Sequence, residues 1–258
     1  MNNSHCQPEK SKPKFRLLII NSSSQSTKTV SGTFIRSRMQ DPKYYIVGYK
    51  DEKINDFERI LQADRISELH EILMIRESVI VEVEVSGYER TINYMRDMKG
   101  CNRDYDAVLV PVINSSFKLI EDSIRTIDDL ISVGVSPDKI RILFNRERNS
   151  IESFDRLTDK LDELEITYDL ETQITHHLGY EKLKELKIEY DDITESTLDA
   201  DEEELERLRV EEQPREANTT IALQNKLLKS VNAQRAVLAS KQQHDEVFNT
   251  LFSDLISM

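Results

Sequence analysis

The chain has 258 residues, enough for one large domain or a domain with an appendage; 38% apolar content suffices for a core, and 32% of the residues are charged. A net charge of −13 argues against a general nucleic-acid-binding surface, because sequence-independent affinity for a phosphate backbone comes from Lys and Arg. Cys6 and Cys101 make no disulfide framework, the five histidines show no metal-ligand spacing, and there is no signal peptide or apolar run of about 18 residues, so the chain reads as cytoplasmic with no membrane span.

In chain order, residues 1–14 are polar with Pro8 and Pro13 and read as a disordered leader. Runs rich in Val, Ile, Leu and Tyr follow at 16–21, 44–49, 78–85, 107–113 and 139–145, with a weaker one at 166–170. Several are almost continuously apolar, as in strands covered on both faces. Between them, 33–40, 54–75, 89–99 and 116–133 space their Ile, Leu, Phe and Met as helices do. Strands alternating with helices predict an α/β fold, a doubly wound and mostly parallel sheet spanning 15–180. Residues 181–216 are acidic, with five Lys or Arg against fourteen acids over 181–212, and predict a solvated linker with a short charged helix. Residues 217–258 predict a C-terminal helical extension: from Asn218 to Ile256 an apolar stripe repeats with no Gly or Pro, and the polar stretch 241–246 is where a break or a departure from the surface is expected. The first fifty residues hold nine Lys or Arg against two acids, so a local basic patch near the N-terminus is compatible with the acidic whole.

The first strand enters a polar loop, Asn21-Ser22-Ser23-Ser24-Gln25-Ser26-Thr27-Lys28-Thr29, with a helical pattern beyond. This is the layout of a phosphate-binding loop, strand then G-x-x-x-x-G-K-[ST] then helix, with Ser22 and Thr27 in the places of the two glycines. Those glycines let backbone N–H groups close around phosphate, and a Cβ there crowds the turn. A polar strand-to-helix loop ending in Lys-Thr also arises in ordinary α/β proteins. Further on, Glu82 ends an apolar run, where magnesium-dependent nucleotide hydrolases carry an Asp; the competing reading is a strand whose Glu82 and Glu84 face solvent by alternation.

Taken in order, several segments resemble one family. They are the loop at 21–29, the strand Val79-Ile-Val-Glu82-Val with Ser86-Gly87 after it, the run Asp104-Tyr-Asp106-Ala-Val-Leu-Val-Pro111-Val, and the stretch from Ser123 through Gly134 and Pro137 to Asn145-Arg146. Together they look like the StbB plasmid stability proteins, which belong to the ParA/MinD-type partition ATPases and their P-loop NTPase fold. The resemblance covers about residues 15–170, and the ending from Ala233 to Phe252 also looks like that family's C-terminal helix. It implies that Ser24, Gln25, Ser26, Thr27, Lys28 and Thr29 surround the phosphates of ATP. It also implies that Thr29 and Glu82 serve Mg2+, and that Asn145 hydrogen-bonds the base with an amide that both donates and accepts. The chain departs from the family at both loop glycines, at Glu82 for Asp, and at Ser23 in the place of the signature lysine. No water-activating group stands out, so no catalytic residue is assigned; Asp51 is a weak candidate for a switch loop.

Three functions follow as expectations. The first is a plasmid stability or partition protein, with a role in conjugative transfer left open, that binds ATP and Mg2+ weakly or not at all. It would work with a small plasmid-encoded DNA-binding partner rather than reading DNA itself, and a homodimer is left open. The second is a pseudo-ATPase scaffold without nucleotide. The third is a small-molecule ATP-dependent enzyme on the same fold, which no substrate motif supports.

Overall fold

The computed structural model describes residues 12–23, 34–49, 52–53, 58–146, 153–170, 173–175, 186, 190–210 and 217–256. Its centre is an eight-stranded sheet. In chain order the strands are β1 (Arg16–Ile20), β2 (Lys43–Gly48), β3 (Glu52–Lys53), β4 (Glu58–Gln62), β5 (Val79–Val83), β6 (Ala107–Ile113), β7 (Ile140–Arg146) and β8 (Gln173–Thr175). Their spatial order is β3-β4-β2-β5-β1-β6-β7-β8, parallel throughout except for the two-residue β3 at one edge. β1 is central, flanked by β5 and β6.

The described helices are α1 (Ile66–Ile75), α2 (Val85–Asp97), α3 (Phe117–Ser132), α4 (Asp155–Glu163), α5 (Glu195–Val210), α6 (Ala217–Leu251) and α7 (Ser253–Ile256). Period-2 alternation in the strands divides the core into two layers. Leu18, Ile20, Val81, Val83, Val108, Val110, Ile142 and Phe144 point to one face, where α1 to α4 cover them with Leu69, Ile92, Ile127 and Leu157 among others. Leu17, Ile19, Ile80, Leu109 and Leu143 point to the other, where Phe34, Ile35 and Met39 meet Val247, Phe248 and Phe252 of the C-terminal helices. Helices on both faces of a parallel sheet explain why these strands read as unbroken apolar runs. The tail packs onto its own sheet: the rings of Phe15 and Phe252 lie 5.0 Å apart.

Several expected elements are corrected. The helix expected over 54–75 contains β4 followed by α1, with a 3-10 turn at Ala63–Arg65 between them. A short run such as Glu58–Gln62 fits either period, and only its place beside β2 decides. Of the helix expected over 33–40, the described part is helical over 34–38 but not as an α-helix: Phe34 and Ile35 are in a π-helical turn that passes into a 3-10 turn at Arg36–Arg38. The weak strand expected at 166–170 is not one: Ile166 is buried but Thr167, Asp169 and Leu170 are exposed, and the last strand is β8. The acidic helix runs for 16 residues and packs along α6 rather than standing in solvent. Asp201 accepts hydrogen bonds there from Ser230 Oγ and Gln234 Nε2, both at 2.6 Å. Nor does α6 break at 241–246. Its polar residues there find partners: Lys241 Nζ donates to the Ile193 carbonyl at 2.6 Å, Gln243 to that of Gln173 at 3.0 Å, and His244 is buried against Phe34 and Tyr190.

Candidate functional site

In a doubly wound sheet a ligand sits beyond the carboxyl ends of the strands where the strand order changes direction. Here that point is β1, whose two neighbours are reached from opposite sides: β5 lies towards β2 and β4, β6 towards β7 and β8. The chain leaving β1 is Asn21-Ser22-Ser23; Asn21 and Ser22 are bonded to the neighbouring elements, and Ser23 bonds back to Asn21. Asn21 Nδ2 donates to the Pro111 carbonyl at 2.7 Å and to Ser123 Oγ at 3.0 Å, while its Oδ1 accepts from the Ser23 N–H at 2.9 Å. Backbone pairing of β1 with β6 ends at Ile19 and Leu109, so the Asn21 amide extends the ladder to Pro111, a residue with no N–H of its own to offer. The Ser22 N–H donates to Thr126 Oγ1 at 3.0 Å, and its hydroxyl donates to the Asp122 carbonyl at 2.8 Å. The serine in the first glycine place therefore anchors the loop entry on α3, and its amide is committed to protein rather than aimed at an anion.

Ser24, Gln25, Ser26, Thr27, Lys28, Thr29 and Asp51 lie outside the described residues. Glu82 and Asn145 are inside, and both are at the carboxyl edge on the same side of the sheet. Glu82 alternates with Val81 and Val83 and so shares the face of Ile80, the face covered by the C-terminal helices. Its exposure is 0%, which excludes the solvent-facing reading of its alternation. Tyr44, on β2, donates its hydroxyl to Glu82 Oε2. Asn145 shares the same face with Leu143, and the residue is 6% exposed. Among the described residues, Asn145 Oδ1 is buried with no hydrogen-bond partner. An unmet buried acceptor is costly and points to a missing donor.

β5 and β7 are three strand intervals apart, roughly 14 Å at the usual spacing. The two side chains thus bracket the loop entry, Glu82 one strand to one side of β1 and Asn145 two strands to the other. That is a span for an elongated ligand with a charged end and a hydrogen-bonding end. As a test of fit, Asn145 offers the orphaned acceptor that an exocyclic amine would meet, and Glu82 offers a carboxylate for a cation's water shell, while the phosphate-facing residues fall outside the described part.

Sequence reading missed Tyr44, Asn21, Ser123 and Thr126. A signal existed for the last two: Ser123 and Thr126 stand on the apolar stripe of α3 with Ile120, Ile127 and Leu130, and both are buried. Polar residues on a buried stripe need partners, and here the partners are the first residues of the loop. Asn114, just beyond β6, is buried as well.

The opposite, amino edge of the sheet holds structural chemistry. Arg16 grips Asp106 through Nε at 3.0 Å and Nη2 at 2.7 Å, and its N–H adds a third bond at 2.8 Å. Burial alone would push the Asp106 carboxyl up, but these bonds and the guanidinium charge hold it below its ordinary value. His70, buried and 3.1 Å from Asp104 through Nδ1, is pushed below its ordinary value by burial, against the pull of Asp104. Burial likewise raises the Cys101 thiol to about 11, which keeps it protonated at neutral pH. Among the described residues no group of three His, Cys, Asp or Glu could hold a metal, and no helix is long and apolar enough to cross a membrane. No model of a known protein family matches the chain, and no curated protein matches it.

Proposed function

We propose that the chain is a plasmid stability or partition protein of ParA/MinD type whose carboxyl-edge site is a weak nucleotide switch with slow or absent turnover. One observation carries the reading: a buried, unmet amide oxygen on Asn145, on the same sheet face and edge as Glu82 and beside the loop that leaves β1. The strand order, with β1 between β5 and β6, supports it, as does the Lys28-Thr29 pair that follows the loop entry. The commitment of the Ser22 amide to α3 supports weak phosphate binding, since an N–H spent on Thr126 does not reach an anion. In this reading ATP with Mg2+ is the ligand, and a small plasmid-encoded DNA-binding protein is the partner that contacts DNA.

The same Ser22 contacts favour the second reading, a scaffold that keeps the fold and has given up nucleotide. Titration of the full chain with ATP, with and without magnesium, separates the two. Saturable, magnesium-dependent binding in the high-micromolar to millimolar range supports the switch; absence of binding supports the scaffold. Micromolar affinity with brisk hydrolysis would contradict both. Deleting the gene from its replicon should lower plasmid retention or transfer, and unchanged retention and transfer would remove the biological assignment.

A further inference from the structure

Helices α5 and α6 form an antiparallel hairpin with little core of its own. Gln224 Nε2 donates to the Leu208 carbonyl at 2.9 Å, while further along α6 Gln234 bonds Asp201 and Arg235 pairs with Glu202 at 2.7 Å, so the two helices run in opposite directions side by side. Among the described residues of α5 only Leu205 is buried, and on α6 none from Ile221 to Lys229 is. Two helices joined by so thin a seam leave their flanks open.

One flank has a definite composition. Helical spacing sets Ile221, Leu228 and Arg235 in one row on α6, each seven residues after the last. Ile221 is 53% exposed and Leu228 38%. The pair of Arg235 with Glu202 fixes which side of α5 lies beside that row, and the same spacing puts Glu195, Asp199 and Glu206 in line with Glu202. Arg209 bonds Glu206 at 3.4 Å, whereas Glu195 and Asp199 are exposed and have no ion pair among the described residues. Over the whole of α5 seven acids stand against two arginines. The flank is thus an apolar row beside an acidic one.

The two rows together select an occupant. Large apolar side chains one heptad apart are the anchor spacing of a helix laid alongside another. The acidic row sets that helix's charge. A second copy placed face to face here would bring two acidic rows together, and a phosphate backbone would be repelled. A helix whose apolar stripe is bordered by Lys or Arg matches both rows.

We propose that this flank of the α5–α6 hairpin is a docking groove for a basic amphipathic helix of a partner protein, whose apolar stripe covers Ile221 and Leu228 and whose cations meet the row from Glu195 to Glu206. The third helix completes a seam that two helices leave open. The groove uses no residue of the carboxyl edge, so it stands whether or not nucleotide binds.

The test is fluorescence anisotropy of a labelled synthetic peptide of three heptads, with Leu at the two core positions of each heptad and Lys and Gln elsewhere, titrated with the full chain. A scrambled peptide of the same composition, which has no apolar stripe, is the charge-matched control. The helical peptide should bind saturably and about tenfold tighter than the scrambled one, the worth of burying one to two apolar side chains in part. Ile221→Gln/Leu228→Gln should remove that tenfold preference, and Asp199→Asn/Glu206→Gln should weaken the helical peptide about threefold and flatten its salt dependence. Met74→Gln/Ile75→Gln, at another exposed apolar pair, should change nothing. Circular dichroism checks the helices of each variant; if the Ile221/Leu228 variant loses them, Leu228→Ala takes its place. Equal affinity for the two peptides, binding untouched by the Ile221/Leu228 variant, or loss of binding in the Met74/Ile75 variant would each overturn the proposal. A dimer of the full chain in sedimentation that Leu228→Gln dissolves would also overturn it, giving the groove to a second copy.

Discussion

Gly87 offers a direct measure of how closely α2 is set against the sheet. It is the third residue of α2, and a Cβ built on it would stand 2.6 Å from the carbonyl oxygen and 3.1 Å from the carbonyl carbon of Val47 on β2. The obstacle is backbone, so no side-chain rotation relieves it. Val47 is also pinned, because its carbonyl accepts the Glu84 N–H at 2.9 Å at the entry to the helix. In Gly87→Ala the first turn of α2 must therefore back away from β2. Overpacking of this kind costs about 1–3 kcal/mol, and the gain in helix propensity from Gly to Ala returns about 1 kcal/mol. A net loss of up to about 2 kcal/mol is expected, equivalent to a fall in melting temperature of up to roughly 8 °C for a chain of this size. Urea unfolding followed by circular dichroism reads it. Trimming the neighbour in Gly87→Ala/Val47→Ala should give no full rescue, since the carbonyl remains. A Gly87→Ala protein more stable than the parent by the full propensity gain of about 1 kcal/mol would refute the close approach of α2 to β2.

Other expectations follow from the same contacts. Asp106→Asn should cost roughly 1–3 kcal/mol, the scale of charge-assisted hydrogen bonds, read by urea unfolding at neutral pH. Because Asp106 is held below its ordinary value in the folded chain, its contribution is fully present above the unfolded-state value near 3.8 and is lost as pH falls through the folded-state value, so the cost of the substitution should shrink in acid. His70 titrates at a lower pH in the folded chain than its ordinary 6.5, so the unfolded chain binds the proton first; stability should decline as pH falls from 6.5 towards the folded-state value, and His70→Gln should flatten that decline. Phe252→Ala should cost about 3–5 kcal/mol in urea unfolding, because the ring is fully buried on the sheet against Phe15; a negligible loss would mean that the tail does not pack there in solution.

The central strands were legible because burial on both faces removes every polar interruption: 107–113 was read residue for residue, and β1, β2, β5 and β7 to within two residues of either end. The edges were not. β4 has an exposed Gln62 beside a buried Leu61 and is too short for either period to decide, and β8 has three residues. The course of α6 through 241–246 was hidden for a different reason. Lys241 and His244 look like surface residues, but one reaches the Ile193 carbonyl and the other stacks on Tyr190, and neither partner is near in sequence. Glu82 and Asn145 were reached through resemblance rather than pattern, and the alternation that made Glu82 look solvent-facing failed because α6 and α7 cover that side. The Asn21–Ser123 and Ser22–Thr126 contacts join residues about a hundred positions apart, a distance over which a single sequence carries no pairing information.

The most direct test of the nucleotide reading is the affinity of the full chain and of Asn145→Ala for ATP and for inorganic tripolyphosphate, all with magnesium. If the unmet Asn145 oxygen receives the adenine amine, the substitution should weaken ATP about tenfold, the worth of one buried hydrogen bond, and leave tripolyphosphate unchanged. Equal affinity of the two proteins for ATP, or no binding of ATP by the unaltered chain, would contradict the account.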